Sequence, residues 1–263
     1  MAAKTTDAPR VYAPTHGLLA SAEIIEDASL EWENGVSFTP IGCEPVNIQC
    51  FACPPEEKSD ALGCPEPITF NPILIEFGFE WPAFDIESVK ENATQQILAG
   101  TSSALEHAIW HGCGVSDENP VLSDAAPIGS MLDPTSAIGR MIDELASPIS
   151  HIGAQGTIHM SATVAAHVEG LLVTDEFGRL RTRFGNHLVV IGAYPSDAIV
   201  GHIGDIEVYL GEPFITEAPS SISSNNMAYV RVERTALVKW VSCATFYQEV
   251  DVCAGCGGVI IGS

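Results

Sequence analysis

Residues 84–111 read FDIESVKENATQQILAGTSSALEHAIWH. Apolar side chains recur at Ile86, Val89, Ala93, Ile97, Ala104, Leu105, Ala108 and Ile109, the three-and-four spacing of one helical face. Asp85 is a suitable N-cap, Glu87 puts negative charge in the first turn, and Gly112 follows as a C-terminal stop. At about 1.5 Å per residue the segment spans roughly 40 Å, longer than most helices of a compact domain. Lys90, Glu91, Thr94, Gln95, Thr101 and Ser102 lie on the other side. The pattern predicts a strut that lies along the body of the molecule and stays wet on one side.

Working outward, residues 1–20 hold Pro9 and Pro14 and no periodicity, which predicts an extended arm. Residues 21–82 contain strand-like runs at 22–25, 29–32, 35–40 and 68–81, interrupted by a stretch dense in Pro, Cys, Gly and acid between Cys43 and Pro72. They predict a two-stranded excursion that leaves the body and returns just before the strut. Beyond the strut, 113–132 is loop-like, and Asp133-Pro134 opens a helix with Ile138, Met141, Ile142 and Leu145 on its apolar face. A strand over 156–161, a short helix over 162–168, runs at 171–174 and 177–184, a turn at Gly185-Asn186 and the apolar run 187–192 follow. Further strands are expected at 206–210, 227–232, 236–241 and 244–250. The order predicts an α+β fold without internal repeats or a linker between independent domains.

The chain has 263 residues, with 34 acidic and 11 basic side chains and a formal charge of −23. Clustered cations carry nucleic-acid affinity, so binding exposed phosphate backbone is not expected as the main task of such a chain. An acidic surface does suit a container wall that must not stick to a polyanion. No apolar run is long enough to span a bilayer, and Met1-Ala2-Ala3-Lys4 leads into polar sequence, so synthesis in a cytoplasm is expected and no membrane partner is.

This succession resembles the major capsid proteins of tailed phages, the Hong Kong 97-like fold. The most specific local stretch is GTIHMSATVAAHVEGLL followed by LRTRFGNHLVVIGAYP, with Thr182, Gly185, Val189, Val190 and Gly192 in the positions of a short axial-domain pattern. The resemblance implies an arm over 1–20, an extended loop over 21–82, a spine helix over 83–114, an axial domain over 115–200 and a return to the peripheral domain over 201–263. It implies no enzyme. The chain would self-assemble as hexamers and pentamers into an icosahedral head around double-stranded DNA, formed in the host cytoplasm and found in the virion. A separate scaffolding protein, a portal and a decoration protein would be the further partners. An encapsulin-like compartment is the alternative within the same fold, and a zinc- or thiol-dependent enzyme is the alternative of another class.

Three constellations carry chemistry. Cys50-x-x-Cys53 and Cys253-x-x-Cys256 are spaced like two halves of a four-thiolate zinc site, a structural staple if the fold joins them and independent thiols if it does not. Cys43 and Cys64 leave the pairing open. His107-x-x-x-His111 with Cys113 puts two imidazoles one turn apart at the end of the strut, without the carboxylate of a metalloprotease motif. Arg179, Arg181 and Arg183 alternate along one predicted strand; they suit a subunit interface with an acidic neighbour, contact with packaged nucleic acid, or a solvated edge. No nucleophile elbow, phosphate loop or dinucleotide fingerprint is present.

Overall fold

The computed structural model describes residues 15–27, 29–40, 67–82, 86–112, 119–146, 155–219 and 227–253. A helical turn α1 (Leu18–Ser21) leads to β1 (Glu23–Ile25), a 3-10 turn (Glu31–Asn34) and β2 (Val36–Phe38). The chain resumes at β3 (Ile68–Phe70) and β4 (Ile73–Pro82), then enters α2 (Ile86–His111). Strand β5 (Ala126–Pro127), α3 (Pro134–Ala146), β6 (Gly156–Ser161), α4 (Ala162–His167), β7 (Leu172–Thr174), β8 (Leu180–Thr182), β9 (Leu188–Gly192) and β10 (Ala198–Ile203) come next. The last elements are β11 (Glu207–Leu210), β12 (Phe214–Pro219), β13 (Met227–Lys239) and β14 (Thr245–Glu249).

A five-stranded sheet is built around β13, a single 13-residue strand where the sequence suggests two. Strand β4 pairs antiparallel along its length, from Ala236↔Ile73 to Met227↔Pro82. The other edge is shared by β12 and β11, and β1 adds parallel to β11. Helix α2, about 39 Å long at 1.5 Å per residue, lies on this sheet. Its Val89, Ala93 and Ile97 pack on Val230 and Val232, with Ile75, Phe77 and Ile215 alongside. Gly112, at φ +81°, ends the helix and donates to the Ala108 carbonyl at 2.8 Å, as a left-handed C-terminal glycine does. The Asp85 cap lies outside the described residues.

The seven-stranded sheet runs β5-β14-β10-β6-β9-β8-β7. Its central strands are buried on both faces, which explains their near-continuous apolar sequence. Ile158, Met160, Val189 and Ile199 face α3 and α4, where Ile138, Met141, Leu145 and Val164 complete one core. Val190, Val200 and Tyr194 belong to a second core with Leu18, Leu105, Ile109, Trp110, Leu237 and Trp240, which ties this sheet to the five-stranded one. The expected opening of α3 is present: Asp133 Oδ1 accepts from the Thr135 and Ser136 amides at 3.1 Å. Gly156 has no room for a side chain, because a Cβ there would strike the His202 backbone carbonyl of the neighbouring strand. Gly156→Ala is therefore expected to destabilise the fold by about 1–3 kcal/mol, the usual cost of overpacking, measured as a lower urea midpoint at unchanged slope.

Three sequence boundaries shift. Within 21–82, β1 and β4 belong to the five-stranded sheet, so the described part of the excursion is the β2–β3 pair, with Phe38 and Phe70 stacked at 6.1 Å. Residues 41–66 lie outside the description. Within 201–263, β14 pairs with β10 in the seven-stranded sheet instead of the five-stranded one. A fully buried central strand must satisfy both edges of its backbone, and β6 covers only one. The wet face of the strut narrows in its second half: Ser103, His107 and His111 stay exposed, but Thr101 is buried against Arg234 of β13 and Ser102 is buried under α1.

Candidate subunit-contact ribbon and the buried junction behind it

One edge of the seven-stranded sheet is the β7–β8 ribbon, closed by a turn over 175–178. Asp175 organises that turn. Its Oδ1 accepts from the amides of Phe177 and Arg179, each at 2.9 Å, and its Oδ2 from Arg179 Nε at 3.1 Å and Arg181 Nε at 2.9 Å. Burial works against ionisation, but these bonds outweigh it and hold the carboxyl down at about 2. Arg181 also donates to the Asn186 carbonyl at 2.9 Å, where Gly185 and Asn186 turn the chain at positive φ. The sequence places the three arginines on one strand; only 180–182 is strand, and two of the guanidiniums converge on one carboxylate. Arg183 is exposed and has no carboxylate partner among the described residues.

Two large apolar side chains stand out on this ribbon, Phe177 at 73% and Phe184 at 66% exposure. Arg179 lies over the Phe177 ring, 5.1 Å from its centre. Beside the ribbon, between it and α4, a cavity of about 730 Å³ is lined by Ala162, Ala165, Ala166, Leu172, Leu180 and Arg183, among others. The small side chains of α4 make that groove.

Behind the ribbon, the sheet meets α2 and the amino-terminal segment through buried polar groups. Glu106, 1% exposed, accepts from the Leu18 amide at 2.8 Å, from Ser102 Oγ at 3.0 Å and from the Ala193 amide at 2.9 Å. One carboxylate thus joins three chain segments. Next to it runs a chain of rings: Tyr194 Oη to His159 Nδ1 at 2.9 Å, His159 Nε2 to His202 Nε2 at 3.2 Å, and His202 Nδ1 to the Ile203 carbonyl at 3.1 Å. The proton positions follow from the last link. A carbonyl only accepts, so His202 carries its proton on Nδ1 and its Nε2 accepts. His159 then donates from Nε2, and the Tyr194 hydroxyl donates to its Nδ1. Every ring is neutral, and every bond points the same way.

The electrostatics agree with that assignment. Burial pushes His159 well below its ordinary value, with the neighbouring His202 adding to it. Burial takes His202 to about 4, against the Ile203 carbonyl and Asp205, which favour the proton. Burial, and then the Glu106 charge, push the Tyr194 hydroxyl well upward. A proton added to His202 sets two Nε2–H groups against each other, whereas one added to His159 at Nδ1 meets the Tyr194 hydroxyl, which must turn from donor to acceptor.

The other sequence candidates stay apart from this site. Cys50, Cys53 and Cys256 lie outside the described residues, as do Cys43, Cys64 and Cys113; Cys253 is exposed just after β14, its amide donating to Asp251. His107 and His111 are exposed with ring centres 4.6 Å apart on the last turns of α2. Among the described residues no three His, Cys, Asp or Glu side chains converge on a metal position. No described helix is long and apolar enough to cross a membrane.

No protein-family model matches the chain, and no curated protein does. Solved structures do match. The capsid of an empty GTA particle is similar over 95% of both chains, at 14% identity and a TM-score of 0.59. A structure from Mycobacterium phage Ogopogo is similar over 95% of this chain and 97% of its own, at 13% identity and a TM-score of 0.59. The virus-like particle from Pyrococcus furiosus matches 89% of this chain and 92% of its own, at 11% identity and a TM-score of 0.50. A long helix laid on a five-stranded sheet, joined through a polar junction to a seven-stranded sheet with a ribbon at its edge, is therefore the phage-capsid, Hong Kong 97-like fold.

Proposed function

We propose that this chain is the major shell protein of a tailed-phage head, a structural subunit and not an enzyme. The observation that carries the reading is likeness to the capsids of empty and native GTA particles over 95% of both chains. Copies associate as hexamers and pentamers and close an icosahedral shell around double-stranded DNA, without sequence-specific contact. The net charge of −23 supports a wall that repels its contents. The ribbon with Arg179, Arg181 and Arg183 is the proposed subunit contact, and cations gathered on one edge of an acidic chain favour a neighbour of the same kind. Scaffolding, portal and decoration proteins are the further partners of such a head, and the Cys50, Cys53, Cys253 and Cys256 set is a zinc or thiol staple for it. Assembly would take place in the host cytoplasm.

An encapsulin-like compartment is the second reading, favoured by the likeness to the Pyrococcus furiosus particle. Nuclease-protected DNA in purified shells supports the head, and packaged protein without DNA supports the compartment. The excursion beyond β2 and β3 is assigned to contact with a neighbouring copy. Deleting residues 41–67 is expected to leave a soluble, folded chain that no longer assembles, read by circular dichroism and sedimentation. Normal particles from that deletion would remove the assignment.

A further inference from the structure

The edge ribbon carries a knob and a hole of matching chemistry. The knob is the turn tip, Glu176 and Phe177, both exposed; Phe177 is the most exposed large apolar side chain described. The hole is the groove between α4 and the ribbon, about 730 Å³, with Ala162, Ala165, Leu172 and Leu180 on its apolar part and Glu169 and Arg183 on its polar part. Neither Glu176 nor Phe177 lines the groove of its own copy. The groove is large enough to admit a phenyl ring with part of the turn that bears it. Arg183 has no carboxylate partner among the described residues, although acids outnumber bases threefold in the chain. A cation without a carboxylate partner beside the alanine and leucine side chains of the groove fits an acidic, aromatic visitor.

We propose that the Glu176-Phe177 tip of one copy docks into the groove of the next, with Phe177 between α4 and β7 and Glu176 on Arg183. This rests on the shell reading given above. The occupant is a second copy because the same edge supplies both halves of the contact, with complementary charge and shape. The contact joins different patches on the two partners, so it is head-to-tail, and a head-to-tail contact closes into a ring wherever its rotation permits. Rings of five and of six then use one contact with a small change of angle. Phe177 supplies the buried aromatic anchor, and the Glu176–Arg183 pair sets register and excludes wrong approaches. Asp175 has a positioning role: by holding two amides and two arginines it fixes the tip that carries the anchor.

Charge exchange in the full-length chain tests the pairing, with sedimentation velocity and electron microscopy as readouts. Glu176→Arg and Arg183→Glu alone are each expected to lower the assembled fraction about tenfold or more. Both sites are exposed, and circular dichroism checks that the fold is kept. The double variant Glu176→Arg/Arg183→Glu restores the pair between copies and is expected to recover assembly. Phe177→Ala is expected to lose assembly without any change in charge. Assembly by both single charge variants at the wild-type level overturns the docking and leaves the shell reading intact; the groove then serves another occupant. Loss in the single variants without recovery in the double also overturns it. A wild-type chain that stays monomeric overturns both.

Discussion

Replacing Glu106 with alanine is expected to cost about 2–4 kcal/mol of folding stability. The carboxylate is buried and satisfies the amides of Leu18 and Ala193 and the hydroxyl of Ser102. Ala193 is exposed and can turn to water, but Leu18 is fully buried and Ser102 nearly so. A buried donor left without a partner costs about 1–3 kcal/mol. Glu106→Gln should lose less, because one oxygen remains while the new amide N–H opposes one of the old donors. Gly192 adds to the constraint, since a Cβ there would overlap the Glu106 carboxylate, so no bulkier chain can approach. Urea unfolding followed by Trp110, which packs 5.6 Å from Tyr194, measures the loss. Hydrogen exchange at the Leu18 amide locates it. A variant within about 0.5 kcal/mol of wild type, with Leu18 still protected, would contradict the role given to Glu106.

Acid is expected to loosen the same junction. In the unfolded chain a histidine takes up its proton near pH 6.5, whereas folded His202 resists until about 4. Between those values the unfolded state binds more protons, so stability is full above pH 6.5 and falls as pH drops towards 4. That shift corresponds to about 3 kcal/mol for His202. His159 acts with the same sign, and so does His187, whose Nδ1 accepts from the Gly156 amide at 3.0 Å and which burial also holds down. Asp175 adds to the loss only at lower pH, from the ordinary aspartate value of 3.8 down to about 2, where the folded carboxyl itself protonates. A His159→Gln/His202→Gln double variant should keep only the His187 part of the slope over pH 4–6.5. Chemical denaturation at half-unit pH steps measures this. An unchanged slope in the double variant would place the acid sensitivity elsewhere.

The strut, the order of segments and the opening of α3 were readable in the sequence because each rests on local signals. Val89, Ala93, Ile97, Leu105 and Ile109 recur at helical spacing, and Asp133-Pro134 is a self-contained start. Strand β10 was not read, although its AIVGHI run is fully buried. It follows a Pro-Ser-Asp turn and carries a glycine, signals that point to loop. The burial of Thr101, Ser102 and Glu106 was hidden for another reason: their polarity matches a solvent face, and only long-range packing, β13 on Thr101 and α1 on Ser102 and Glu106, buries them. The ring chain needed pairing between strands 43 residues apart, His159 to His202, which no local pattern encodes. One signal was available. A histidine inside an otherwise apolar strand, as in GTIHMS, marks a buried polar group that needs a partner. For the arginines, residue spacing suggested one face of a strand, but Asp175, four and six residues upstream, draws Arg179 and Arg181 together at a turn.

The proposed shell closes through contacts between identical copies of this chain. Electron microscopy of the purified full-length protein, alone and with candidate scaffolding partners, tests it most directly. Icosahedral shells, or rings of five and six copies as their precursors, are the expected result. A uniform monomer across protein concentration, salt and partners would contradict it and move attention to the cysteine and histidine chemistry of the single chain.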